Sequence, residues 1–169
     1  MPTVVNGLPA HVLLVHFVVV LVPAAALLLI LAVAWPAARD RIGVFGPLLA
    51  LGSLGLAFVA EQAGGWFKDK LEMSGDDIET HADYGSTVVY CALTILVLWV
   101  VWWVIASTSG RQLLGKVGRL EEIATHRVAL VVVGIASIAV ALGSMYVTYL
   151  AGDSGAHLVW DQYHDQLVK

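Results

Sequence analysis

Four long apolar runs leave this chain few ways to fold. They cover roughly residues 10–35, 43–67, 82–106 and 127–150, and each reaches the ~20 residues that carry a helix across a ~30 Å hydrocarbon core. Only 13% of the 169 residues are charged against 59% hydrophobic, too few to coat a water-soluble domain of this size. Lipid offers the backbone no hydrogen-bond partners, so each run must satisfy its own amides as a helix. The expected fold is therefore all-α, a single membrane domain spanning 1–169 as an up-down-up-down four-helix bundle with short connections.

The first run ends in Ala32-Val33-Ala34, which resembles a small-residue cleavage site, but no basic residue precedes Arg39 and the run is longer than a signal core. It reads as a retained helix. Arg39 and Arg41 lie in the first connection, and Arg111, Lys116, Arg119 and Arg127 in the third, while the other side has Lys68, Lys70 and Lys169. The positive-inside bias makes connections one and three cytoplasmic and both termini extracytoplasmic. A net charge of −4 with no long basic run excludes nucleic acid as a partner and leaves the lipid bilayer.

Small residues mark the faces that let helices approach in lipid. Gly134, Ser137, Ala141, Ser144 and Thr148 form one stripe in the fourth run; Ser53, Ala57, Glu61 and Gly65 form another in the second. Trp35, Trp99, Trp102 and Trp103 read as interfacial anchors. Beyond a turn at Gly152 to Gly155, the spacing of His157, Trp160, His164 and Leu167 predicts an amphipathic surface helix.

Five of the six histidines fall at the same ends of the runs. Ionisable groups at membrane depth are costly, so His16 and Glu61, each roughly 9 Å below the outer surface, are the leading signals and are expected to meet. His11, His81, Asp153 and His157 converge on the same mouth. Imidazole suits zinc, copper or haem iron, and the candidate metal set is His11, His16, Glu61, His81, Asp153 and His157. His16 and His81 are the proposed axial pair for a haem b, with Glu61 balancing charge. His11 lies about 140° around the helix from His16 and is expected to cap or face solvent. His126, at the start of the fourth run, is expected to be interfacial. No P-loop, dinucleotide fingerprint, nucleophile elbow or zinc-protease helix is present, so the chain reads as not an enzyme on its own.

Gly7-Leu-Pro-Ala-His-Val-Leu-Leu-Val-His-Phe17, Gly64-Gly-Trp-Phe, His81-Ala-Asp-Tyr-Gly85 and Gly152-Asp-Ser-Gly-Ala-His-Leu-Val-Trp160 together resemble the bacterial domain of unknown function 2231 family. The resemblance covers essentially the whole chain and implies a four-helix membrane domain, sometimes joined to Rieske iron–sulfur or cytochrome c domains. It matches His11, His16, His81 and the Gly152 to Gly155 turn. The family often has His-Pro where this chain has His11-Val12, a carboxylate near Gly65, and His at the position of Asp153.

Three functions are open at this point. The first is a membrane protein holding haem b or a transition metal for electron transfer or a respiratory partner, a homodimer being able to supply missing ligands. The second is a non-catalytic subunit or scaffold whose polar cluster is a structural network. The third is a small proton-coupled transporter or channel using Glu61 and His16.

Overall fold

The computed structural model describes residues 4–5, 7–114 and 127–161. Lys116, Arg119, His126, His164 and Leu167, with the expectations attached to them, lie outside the described residues. A two-stranded hairpin opens the chain, β1 (Val4–Val5) pairing antiparallel with β2 (Leu8–Pro9). Six helices follow among the described residues: α1 (Ala10–Ala34), α2 (Pro36–Ile42), α3 (Phe45–Lys70), α4 (Asp76–Ala106), α5 (Thr108–Leu114) and α6 (Arg127–Trp160). Four of them, α1, α3, α4 and α6, are long and apolar enough to cross a membrane.

Local chemistry sets the breaks. Pro36 takes the first turn of α2, where its missing N–H costs nothing, and Gly43 ends that helix at φ 51°. Gly75, at φ 132°, starts α4, whose first turn carries Asp76, Asp77 and Glu79 against the positive end of the helix dipole. Lys68 and Lys70 occupy the last turn of α3, where cations are favoured. Ser107 closes α4 and caps α5, its Oγ accepting the Gly110 amide at 3.0 Å.

α1 and α4 each pack against both α3 and α6, and touch one another only lightly across the middle. One spacing recurs in all four long helices. The seam positions are Val18, Val22, Ala25, Leu29 and Ala32 in α1, where Ala10 and Ala26 are buried as well; Gly46, Ala50, Ser53, Ala57 and Ala60 in α3; Val88, Ala92, Ile95, Trp99, Trp102 and Ala106 in α4; and Gly134, Ser137, Ala141, Ser144 and Thr148 in α6. Steps of three and four alternate throughout, the heptad seam of left-handed bundle packing. Gly, Ala and Ser dominate two of the four seams, so dispersion and close backbone approach hold the helices together where lipid supplies no hydrophobic drive.

The expected stripe of α6 is the buried one. That of α3 needs correction: after Ser53 and Ala57 the seam steps by three to Ala60, so Glu61 lies half-buried on its flank and Gly65 is exposed. Repeated steps of four overshoot a 3.6-residue turn, and the error accumulates.

Trp99 and Trp102 also depart from expectation. Both are buried, and their indole N–H groups donate to the carbonyls of Ala25 (2.9 Å) and Ala32 (3.1 Å) on α1. They are core braces on the seam, and Gly46 supplies the flat surface against which the Trp99 ring lies. Trp35 is exposed, as an anchor requires.

The expected turn at Gly152 to Gly155 is instead continuous helix. α6 runs unbroken to Trp160, extended by Asp153–His157 and His157–Asp161 pairs at i,i+4 spacing.

Candidate functional site

The seam register decides which polar groups face inward. Counting back from Val18 by three and four reaches Val15 and His11; counting back from Val88 reaches Gly85 and His81. These residues line one small cavity of about 70 Å³ with Ala57, Ala60, Glu61, Thr148 and Ala151. The start of α1, the end of α3, the start of α4 and the last turns of α6 meet there.

His11 is the main surprise. Far from facing solvent, it is half-buried, with Nδ1 donating to the Ala60 carbonyl at 2.9 Å. Its ring fits because Gly64 has no side chain: a Cβ there would stand 2.8 Å from ring atoms Cε1 and Nδ1. His81 is held from the other side. Ser154 Oγ donates to the Ala151 carbonyl at 3.1 Å and so accepts from His81 Nδ1 at 3.0 Å. Gly155 leaves the space, since a Cβ would lie 2.9 Å from His81 Cε1.

The two imidazoles meet edge to face with centroids 6.2 Å apart. Hydrogen-bond logic fixes their tautomers. A carbonyl only accepts, and the single hydroxyl proton of Ser154 is already used, so both rings carry their proton on Nδ1. In the neutral rings both Nε2 atoms are then lone-pair donors, the arrangement in which a second-sphere acceptor orients a histidine ligand.

Of the remaining expected ligands only Glu61 reaches the cavity of this pair. His16 is exposed on the outer surface of α1, its Nδ1 bonded to its own helix at the Val12 carbonyl, 2.6 Å away. A five-residue spacing cannot put His11 and His16 on one face, and the seam selects His11. The expected His16–His81 axial pair is therefore not assembled at the cavity, and no His16–Glu61 hydrogen bond occurs among the described residues. Glu61 lines the cavity but accepts from the Gln62 amide at 3.2 Å. Asp153 and His157 are exposed on α6 and pair with one another at 3.9 Å, and His157 with Asp161 at 2.9 Å. In this polar overhang beyond the apolar run, Asp161 first and Asp153 second raise the His157 pKa. Among the described residues no three His, Cys, Asp or Glu side chains gather into a metal-ligand cluster.

Fold and cavity together define an apolar four-helix bundle with a paired-imidazole site at one end. No protein-family model, curated protein or solved structure matches the chain.

Ala60, Gly64, Ser154 and Gly155 complete the site; the resemblance points to Gly64 and the Gly152 to Gly155 segment, and no sequence motif points to Ala60. A heptad count from the small-residue stripe of α6 reaches Ala151 and Gly155, and the same count along α3 reaches Ala60 and Gly64.

Proposed function

We propose that the protein is a multi-pass protein of the bacterial cytoplasmic membrane that binds a transition-metal ion between His11 and His81 and serves electron transfer or a respiratory partner. The observation that carries this reading is the pairing of two imidazoles with ring centroids 6.2 Å apart, the Nδ1 of one bonded to the Ala60 carbonyl and that of the other to Ser154 Oγ. Two metal–nitrogen bonds of about 2.0–2.1 Å, each extended to its ring centre, span roughly that distance. A cavity of about 70 Å³ suits an ion with a water molecule, and favours zinc or copper over the haem b macrocycle.

The up-down-up-down path, with both termini outside, is part of the same proposal. It rests on Arg39, Arg41, Arg111 and Arg127 falling at one end and on the acidic start of α4 and Asp153 at the other. A bound copper ion would supply one-electron chemistry, and zinc would not. The chain's own contribution is to orient the rings through Ala60 and Ser154 and restrict water. The resemblance to the domain of unknown function 2231 family supports a redox setting by association alone.

A second reading is favoured by the same hydrogen bonds: His11–Ala60 joins α1 to α3 and His81–Ser154 joins α4 to α6, as a structural network would. Equilibrium dialysis of detergent-purified protein against zinc and copper, with an absorption spectrum, separates the readings. About one equivalent retained, and lost in His11→Ala and His81→Ala, supports the ion site. Thermal destabilisation of both variants with no metal retained by the wild type supports the network. A Soret band that shifts on reduction returns the assignment to haem.

A further inference from the structure

At the opposite end of the bundle, a cavity of about 390 Å³ opens between α1, α4, α5 and α6. That volume falls within the ~300–1,000 Å³ typical of small-molecule sites. Its two halves differ in chemistry. Arg39 and Arg111 reach it from the two short helices, while Val131, Gly134, Ile135 and Ile138 of α6 form an apolar wall. Val131 and Ile135 are 59% and 65% exposed, so this wall is open to the surroundings of the bundle.

Arg39 is set for a partner it does not have. Its guanidinium carbon lies 5.9 Å from the centroid of the Trp102 ring, and its Nε is buried with no hydrogen-bond acceptor. Neither arginine forms an ion pair among the described residues, and no carboxylate lines the cavity. A buried charged donor without an acceptor is costly, and an anionic ligand would relieve it. Both arginines are held by local structure, Arg39 in α2 by the Trp35 carbonyl that accepts its amide, and Arg111 in α5 by the Ser107 cap. We propose that this cavity binds an anionic phospholipid, its phosphate between the Arg39 and Arg111 guanidiniums and an acyl chain along the Val131–Ile135–Ile138 wall. The planar guanidinium fork matches phosphate oxygens, and a net negative headgroup complements two cations where a zwitterion does not. Basic pockets between spanning helices take such headgroups by this combination of charge and apolar groove.

The test is native mass spectrometry of the delipidated, detergent-purified full chain, titrated with dioleoyl phosphatidylglycerol, dioleoyl phosphatidylcholine or inorganic phosphate. Phosphatidylglycerol should bind about tenfold more tightly than phosphatidylcholine, the scale of one charge-assisted contact. Arg39→Gln and Arg111→Gln should each remove about that factor. Arg41→Gln, an equal charge loss on α2 outside the cavity, should leave binding within about twofold. Val131→Trp, at a position 59% exposed, should weaken lipid binding by filling the groove, with its helical circular dichroism as the check on folding. Equal binding of the two lipids, or an Arg41→Gln loss matching that of Arg39→Gln, would overturn the proposal. Displacement of the lipid by equimolar inorganic phosphate would assign the site to a bare anion instead.

Discussion

The imidazole of His11 lies against the α-carbon of Gly64, with room for a hydrogen there and not for a methyl group, which would stand 2.8 Å from the ring. His81 stands in the same relation to Gly155. Each histidine thus owes its inward position to a glycine on the neighbouring helix. The heptad seam, continued to the end of the bundle, brings the four together.

Gly64→Ala should push His11 away from Ala60 and lower stability by about 1–3 kcal/mol, the scale of overpacking in a tight core. Gly65→Ala, one residue on and with nothing within 4 Å of a new Cβ, should stay within about 0.5 kcal/mol of the wild type. Thermal denaturation of both variants in detergent checks the contrast, which a generic glycine effect on the helix would not produce.

His16→Ala and His157→Ala should retain metal as the wild type does. His16 is on the outer surface of α1 and His157 is engaged by Asp153 and Asp161. Loss of the ion in either variant, measured by elemental analysis after dialysis, would place the site elsewhere.

The seam was legible in the sequence of α6, where small residues stand out at alternating steps of three and four among Val, Ile and Leu. It was less legible in α1, where Val and Leu occupy the outside as well as the inside and the buried Val18, Val22 and Leu29 look like their exposed neighbours. That uniformity hid which of His11 and His16 faces inward. Trp99 and Trp102 were misread for a related reason: tryptophan near a helix end suits either an interface or a core, and only the carbonyls of Ala25 and Ala32 opposite decide. The four apolar helices themselves follow from length and composition alone.

Trp99→Phe keeps an aromatic ring but removes the N–H donated to Ala25 together with part of the buried indole. Interhelical hydrogen bonds of this kind contribute roughly 0.6–2 kcal/mol, so the variant should unfold at lower temperature with its helical circular dichroism unchanged before the transition. Gly46→Ala should cost more, because a methyl group there would overlap the indole ring.

X-ray absorption at the metal edge of zinc- or copper-loaded protein tests the central claim most directly. The account predicts scattering from two imidazole rings with nitrogen at about 2 Å, falling to one ring in His81→Gln. A first shell without imidazole, or one that His81→Gln and His11→Gln leave unchanged, would contradict it.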